Sequence, residues 1–566
     1  MYDEKISTTL EIIQTTREAA PELYNQLLNG NKKLFMQMSL ELKNLFKILI
    51  QEGRLQNSKE LPIKLEKAAA SCSESLERII RYSVYNIPLA LKKIEFELIP
   101  FLCDMYVDYH FCKCIYPYKE KWDEYYKNEF PLLIENPYIK NSEETGRYKY
   151  DLSIAVLAYN KVEYTMKCIS CLLHNLPTDI SCELILVNHG SSDETKKYFE
   201  NIMPTKQIDI KENGSMIDNY GKSTEGKHTL FVSNDVLVMP NAIKNMMRAL
   251  EEDESIGLVV PATTSVSNLQ VLKELPGTIQ DLSYLEIWAE SNNKYDPYRH
   301  EIRTRLVNPI QMARSKYLME LTPPGHRFTL NSNSFAFPDD VQSLLFRRRG
   351  LKCVLLKDSF CYHYGSVTIE DESKEKSRGE KEILLLYQKA RKEFFDVYGI
   401  DPWGTGCCYN RLFELSDYPF SGEISILGIN CGLGANPLKI KEQYKEKRHN
   451  TNCRLTFCVK DDIFIEDTKA FCEDAHAAAT MEEVARVLND KKFNYIVYED
   501  SFGNNKSADE VSILKGLLVN GGELYVRGPV AGNPEISGLK RTVLETPSDG
   551  LSKDGKIIWI LYKREG

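Results

Sequence analysis

No stretch of the sequence is apolar for long enough to span a bilayer. The greasiest segment, IPLALKKIEFELIPFLCDMYV from Ile87, carries Lys92, Lys93, Glu95 and Glu97 within it, whereas a spanning helix needs about 20 mostly apolar residues. The opening MYDEKISTTLEII has no basic segment leading into an apolar one, so no secretory leader is expected. There is no excess of basic charge either. The formal net charge is -9, which opposes a sequence-independent nucleic-acid binder, since such proteins neutralise phosphates with a basic face. Cysteine is sparse, 15 scattered in 566 residues, without the density of a disulfide framework. Reduced, mostly buried thiols and a cytoplasmic location are the expectation. Long repeats and low-complexity tracts are missing as well.

A chain of this length is expected to divide into about three domains. Up to Lys149 the apolar residues recur every three or four positions, as in ELYNQLLNGNKKLFMQMSLELKNLFKILIQ, which predicts packed amphipathic helices and an all-α domain over 1–149. The aromatic-rich YVDYHFCKCIYPYKEKWDEYYKNEFP near its end reads as packing first and a recognition surface second. From Asp151 the texture changes to short β-branched runs alternating with helical stretches: LSIAVLAYN, CELILVNHG, HTLFVSNDVLVM and IGLVVPATT. That alternation predicts a largely parallel sheet with helices on both faces, over 150–418, with ligands at the carboxyl ends of its strands. A second α/β sheet is expected over 419–566, from EISILGINCGLGANPLKI through FNYIVYEDSF and GGELYVRGPV to KIIWILYKR.

Within HTLFVSNDVLVM the apolar run breaks at Ser233-Asn234-Asp235 and resumes. A carboxylate presented at a strand end suits a hard cation such as Mg²⁺ or Mn²⁺, which takes oxygen ligands and shares them with substrate phosphates. LSIAVLAYNKVEYTMKCISCLL, ELILVNHGSSDET and ENGSMIDNYGKSTEGKHTLFVSNDV, in that order, resemble the nucleotide-binding half of a family 2 glycosyltransferase of the Rossmann-like GT-A fold. NSFAFPDDVQSLLFRRRGLKCVLLKDSFCYHYGSVTI is similar to that family's acceptor half, and RKEFFDVYGIDPWG to the end of such domains, so the resemblance covers about Asp151 to Trp403.

The resemblance implies that Tyr159, Asn160, Glu163, Asn188 and Asp193 surround the nucleotide, with Asn219 and Asn234 near the donor. It implies that Asp235 holds the metal with His363, and that Asp339 or Asp340 is the general base. Where the family has the first carboxylate of Asp-x-Asp this chain has Ser233, and where it has the aspartate of VDNGSTD this chain has Asn188. The expected activity is a metal-dependent, inverting transfer of a sugar from a nucleotide-diphosphate donor, such as UDP-GlcNAc, to a hydroxyl. Resemblance to bacterial surface-glycan and flagellin glycosylation enzymes implies a glycan or a flagellin Ser/Thr as acceptor. Cys168, Cys171 and His174 have ligand-like spacing, but at i, i+3 on a helix they face a core.

ILGINCGLGAN resembles the first motif of class I methyltransferases, which implies a methyltransferase-type Rossmann fold and S-adenosylmethionine as a further ligand. Gly428 stands where that motif is usually acidic, and Asn430 replaces one of its glycines. Two other functions stay open: a glycosyltransferase that also methylates, and a non-catalytic glycan-binding scaffold. Because every assigned residue lies between Tyr159 and His363, the segment from Ser421 onward is expected to be separable from sugar transfer.

Overall fold

The computed structural model describes residues 2–55, 65–129, 135–210, 221–272, 282–320, 337–365, 380–402, 416–489, 491–499, 508–527, 535–545 and 558–565. The chain divides into two compact units: Met1–Met247 with Pro309–Pro338 and Cys361–Glu393, and Arg248–Asn308 with Asp339–Phe360 and Phe394–Gly566. Among the described residues no helix is long and apolar enough to cross a membrane.

The first unit opens with helices α1 (Tyr2–Leu28), α2 (Lys32–Leu55), α3 (Leu65–Tyr85), α4 (Ile87–Lys93) and α5 (Ile99–His110). Their helical period comes from their buried stripes, Phe35, Leu42, Phe46 and Leu49 on α2 and Ala69, Cys72, Leu76 and Ile79 on α3. Strands follow: β1 (Tyr150–Ala158), β2 (Cys182–Asn188), β3 (Lys206–Asp209), β4 (Gly226–Ser233), β5 (Val236–Leu237), β6 (Ile256–Thr263), β7 (His300–Arg303), β8 (Ile310–Arg314) and β9 (Lys352–His363). In the first unit β3, β2, β1 and β4 run parallel in that order, and β8 joins β4 antiparallel. The crossover between β1 and β2 contains helix α6 (Val162–His174). The helices share one core with this sheet: Phe35, Phe46 and Leu102 belong to the same buried cluster as Ala155, Ile185, Val187 and Phe231.

A charged cluster lies inside that core. Lys93 Nζ donates to Glu97 Oε2 at 2.6 Å, to the Gln207 carbonyl at 2.7 Å and to Asp209 Oδ2 at 3.3 Å, while Arg78 Nη2 reaches Glu97 Oε1 at 2.5 Å. Lys93 and Glu97 are 4% and 1% exposed, so two of the four charged residues that bar a membrane span are buried all the same, paired in an ion network. Burial pushes the Glu97 carboxyl up, yet Lys93 and Arg78 hold it below the usual carboxylate range. Lys93→Met leaves two carboxylates buried with one cation fewer and should cost about 3–5 kcal/mol, read as a lower urea midpoint at unchanged slope.

The second unit contains β6, β7 and most of β9, helix α7 (Pro338–Arg348) from Asp339 onward, helices α8 (Ala435–Arg448) and α9 (Ile463–Thr468), and a C-terminal sheet. That sheet has β10 (Ile424–Ile429), β11 (Cys453–Val459), β12 (Asp474–Ala477), β13 (Phe493–Tyr498), β14 (Leu518–Arg527), β15 (Leu539–Glu545) and β16 (Ile558–Arg564). Their order is β12-β11-β10-β13-β14-β16-β15, parallel except for β16, which is antiparallel to both its neighbours.

Two helices of this C-terminal segment are tied to elements that precede it in the chain. Lys439 on α8 meets Glu301 on β7 at 2.6 Å, and Asp467 on α9 meets Arg348 on α7 at 2.7 Å, with Lys439, Glu301 and Asp467 all buried. Sequence offered no sign of this, since partners more than a hundred residues apart leave no local pattern.

Candidate functional site

In the first unit, two loops leave the carboxyl ends of β1 and β2 and are fastened to each other. Asn160, at φ +55°, accepts at Oδ1 from the Ser192 N–H at 2.8 Å, and its own N–H donates to Ser191 Oγ at 2.9 Å. Asp193 takes the Val162 N–H at 2.9 Å on one oxygen and the Thr195 N–H at 3.1 Å on the other, anchoring the start of α6 and the helix Thr195–Ile202. Asn188 accepts from the Ser191 N–H at 3.1 Å and donates to Asp209 at 3.1 Å, which joins it to the Lys93 cluster. Asn234, 3% exposed, donates to the Asn160 carbonyl at 3.0 Å and to Thr165 Oγ1 at 2.9 Å.

The structure therefore brings Asn160, Asn188, Asp193 and Asn234 together through these bonds, with half-buried Tyr159 on the first loop and exposed Glu163 on the first turn of α6. Four of these side chains hold backbone in place, which in turn fixes where the strand-end N–H groups point. Asn219 lies outside the described residues. Ser192 and Asp209 were not among the sequence candidates; Ser192 sits inside the HGSSDET motif and could have been found there, whereas Asp209 had no such marker.

The break after β4 is a turn, and β5 resumes by pairing antiparallel with the end of β9, Val236 opposite His363. This register sets His363 Nε2 at 3.3 Å from Asp235 Oδ2, both side chains being largely buried. The Tyr364 N–H donates to the Asp235 carbonyl at 3.0 Å, tying the two chain segments together again. One carboxylate beside one imidazole fits a divalent cation whose remaining ligands come from substrate phosphates and water. Among the described residues no group of three or more His, Cys, Asp or Glu side chains is arranged to hold a metal by itself. Cys168 and Cys171 are buried thiols directed at the carbonyls of Ser233 and Val238, so their spacing serves packing.

Asp339 and Asp340 belong to the second unit, in the first turn of α7. Their environments differ. Asp340 is 8% exposed and gripped by Arg305, Nε to Oδ1 at 2.7 Å and Nη2 to Oδ2 at 3.3 Å. Asp339 is half-buried, and its Oδ2 accepts the Asn308 N–H at 3.3 Å. Burial, and then the neighbouring Asp340 charge, push the Asp339 carboxyl up to about 7. Burial also raises Asp340, with Arg305 opposing it. A carboxyl that titrates near neutrality can take a proton at ordinary pH. Arg305 was missed by sequence reading, because it stands 35 residues before its partner in a stretch with no motif.

At the head of the C-terminal sheet, Asn430 (φ +48°) accepts from the Lys460 N–H at 2.8 Å and Asn436 donates to Glu499 at 2.9 Å. A Cβ on Gly434 would come within 2.4 Å of the Phe457 ring and one on Gly428 within 2.7 Å. These two glycines admit an aromatic side chain, a packing reason for the turn.

Residues 153–303 match the profile of the family described as Glycosyl transferase family 2. No curated protein matches the chain. Among solved structures, GalNAc-T7 with UDP, GalNAc and Mn²⁺ aligns at 12% identity and TM-score 0.30, over 38% of this chain and 44% of that one. Residues 1–349 of S. aureus TarS in complex with UDP-GlcNAc align at 14% identity and TM-score 0.26, over 44% of this chain and 73% of that one. A mycobacterial protein aligns at 14% identity and TM-score 0.28, over 45% and 78%. The chain spans under half the length of the first of these. The matched residues include Asp235 and every described donor-side candidate, whereas His363 lies beyond them.

Proposed function

We propose that this protein transfers a sugar from a nucleoside-diphosphate donor to an acceptor hydroxyl with inversion at the anomeric carbon. The observation that carries the reading is the Asp235–His363 pair at a strand end, with Asp235 inside the segment 153–303 that matches the family 2 profile and His363 on a later strand outside it. Asp235 and His363 would hold Mn²⁺ or Mg²⁺. When bound, the cation neutralises charge on the departing diphosphate. Asn160, Asn234, Asp193 and Asn188 keep the loops after β1 and β2 in register around the nucleotide. Asp339 accepts the proton of the acceptor hydroxyl, so that its oxygen bonds to the anomeric carbon as the bond to the diphosphate breaks. Asp340, paired with Arg305, keeps a negative charge beside Asp339 and so makes it a stronger base.

UDP-sugars, UDP-GlcNAc among them, are the proposed donors, and a hydroxyl of a surface glycan or of a protein such as flagellin is the proposed acceptor. Incubation of the purified chain with a panel of nucleotide sugars and Mn²⁺, with chromatographic detection of released nucleoside diphosphate, tests this. Release from one donor class that stops on adding chelator supports it; release from none, with no calorimetric binding of UDP, removes it.

A further inference from the structure

The carboxylates that bear on proton transfer sit in the first turn of α7, but the far end of that helix is held from the C-terminal segment. Arg348, in the last turn, directs Nε to Asp467 Oδ1 at 2.7 Å and Nη2 to the Tyr398 carbonyl at 3.2 Å. Asp467 is wholly buried. Arg347, 1% exposed, donates to the Thr304 carbonyl. The helix also packs on β6, where a Cβ on Gly257 would come within 2.4 Å of Phe346.

A second tie reaches the same carboxylates by another route. The segment from β7 to Asn308 touches both of them, Arg305 through Asp340 and the Asn308 N–H through Asp339, while the Leu306 N–H donates to Ser343 Oγ in mid-helix at 3.2 Å. The start of that segment is fixed to α8. Lys439 Nζ is 2.6 Å from Glu301, and the Ile302 N–H donates to Glu442 Oε2 at 2.9 Å. Glu301 further gathers Lys357 at 3.2 Å and Arg303 at 3.0 Å. Each of these charges is largely buried, so each tie resists displacement, since separating a buried pair leaves a charge without compensation.

We infer that Asp467 and Lys439, residues of the C-terminal segment, are positioning residues for Asp339. They act through Arg348 and α7 in one case and through Glu301, β7 and Asn308 in the other. This rests on the reading of Asp339 as the base. α7 has 11 residues and is therefore about 16 Å long, so a tilt of a few degrees at Arg348 displaces its first turn by about an ångström. A displacement of that size at a reacting group can lower a rate about 10²-fold.

The test uses the full-length chain. Asp467→Asn and Lys439→Met are first checked by thermal unfolding and by calorimetric titration with UDP and Mn²⁺, which must bind as in the wild type. In both variants kcat for sugar transfer should then fall about 10- to 100-fold with donor KM within twofold, and the rise of kcat with pH should move from its wild-type position. Asp467→Glu should restore part of the loss. Arg348→Lys, which keeps the charge and loses the fork geometry, should lie between wild type and Asp467→Asn. If Asp339→Asn is inactive while folded Asp467→Asn and Lys439→Met both keep wild-type kcat and pH profile, the positioning inference fails and the base reading stands. If Asp339→Asn itself retains full transfer, the base reading falls and the inference with it. Should Asp467→Asn fail to fold, Arg348→Lys and Lys439→Met decide by the same criteria.

Discussion

Asparagine in place of Asp339 should lower sugar transfer by about 10²- to 10⁴-fold while leaving UDP affinity unchanged. The carboxamide matches the carboxylate in shape and cannot take the acceptor's proton, so a steady-state comparison with calorimetry on the same samples separates chemistry from binding. In the wild type kcat should climb as pH passes about 7, because only the ionised Asp339 carboxyl can act. Stability should run the other way. An unfolded aspartate titrates near about 4, so between there and about 7 the folded chain keeps a proton that the unfolded chain has lost. The stabilisation is complete below the lower value and lost as pH rises through the upper one. Asp339→Asn, which has no charge to bury, should therefore gain in Tm over the wild type at pH 8 and gain much less at pH 5. Equal differences at the two pH values would contradict the shifted carboxyl, and wild-type turnover in the variant would remove Asp339 as base and turn attention to Asp340→Asn.

Asp235→Ala should be equally severe for a different reason. The side chain is buried beside His363, but the turn that carries it is held by the backbone pairing of β5 with β9, so the fold should survive, as near-wild-type circular dichroism and urea midpoint would show. Transfer should drop below detection, and the Mn²⁺-dependent part of UDP binding should disappear while weak metal-independent binding remains. His363→Ala, the other half of the 3.3 Å pair, should retain more activity, because hard cations depend more on carboxylate oxygen than on imidazole. Full activity of the wild-type chain in excess chelator would overturn both expectations.

How far these residues could be read from the sequence depends on how local their partners are. The break at Ser233-Asn234-Asp235 was legible because a strand that stops and restarts writes itself as apolar, polar, apolar, and the structure has β4, a turn and β5 there. The helical N-terminal region was legible from its period. The choice between Asp339 and Asp340 was not, since what distinguishes them is Arg305, which occupies one and leaves the other to titrate. Lys93 and Glu97 could be read only as interruptions of an apolar stretch. Their burial depends on Asp209, which lies 116 residues from Lys93 in the chain. Sequence motif suggested a ligand for the glycines of ILGINCGLGAN, while the space beside two of them is taken by Phe457, a residue on the next strand.

The shared core of α1–α5 and the β1–β4 sheet has a consequence for synthesis on the ribosome. Helices close among themselves as soon as they emerge, but the face of this bundle that covers Ala155, Ile185, Val187 and Phe231 has nothing to rest on until those residues have been translated. Phe231 comes 121 residues after His110, the last residue of α5, and at typical elongation rates of about 5–20 residues per second that interval is on the order of ten seconds. Throughout it the nascent chain presents an apolar helical surface with Lys93 and Arg78 awaiting Asp209. A chaperone that recognises such surfaces should meet this protein early, and slower elongation between residues 110 and 231 should lengthen that encounter.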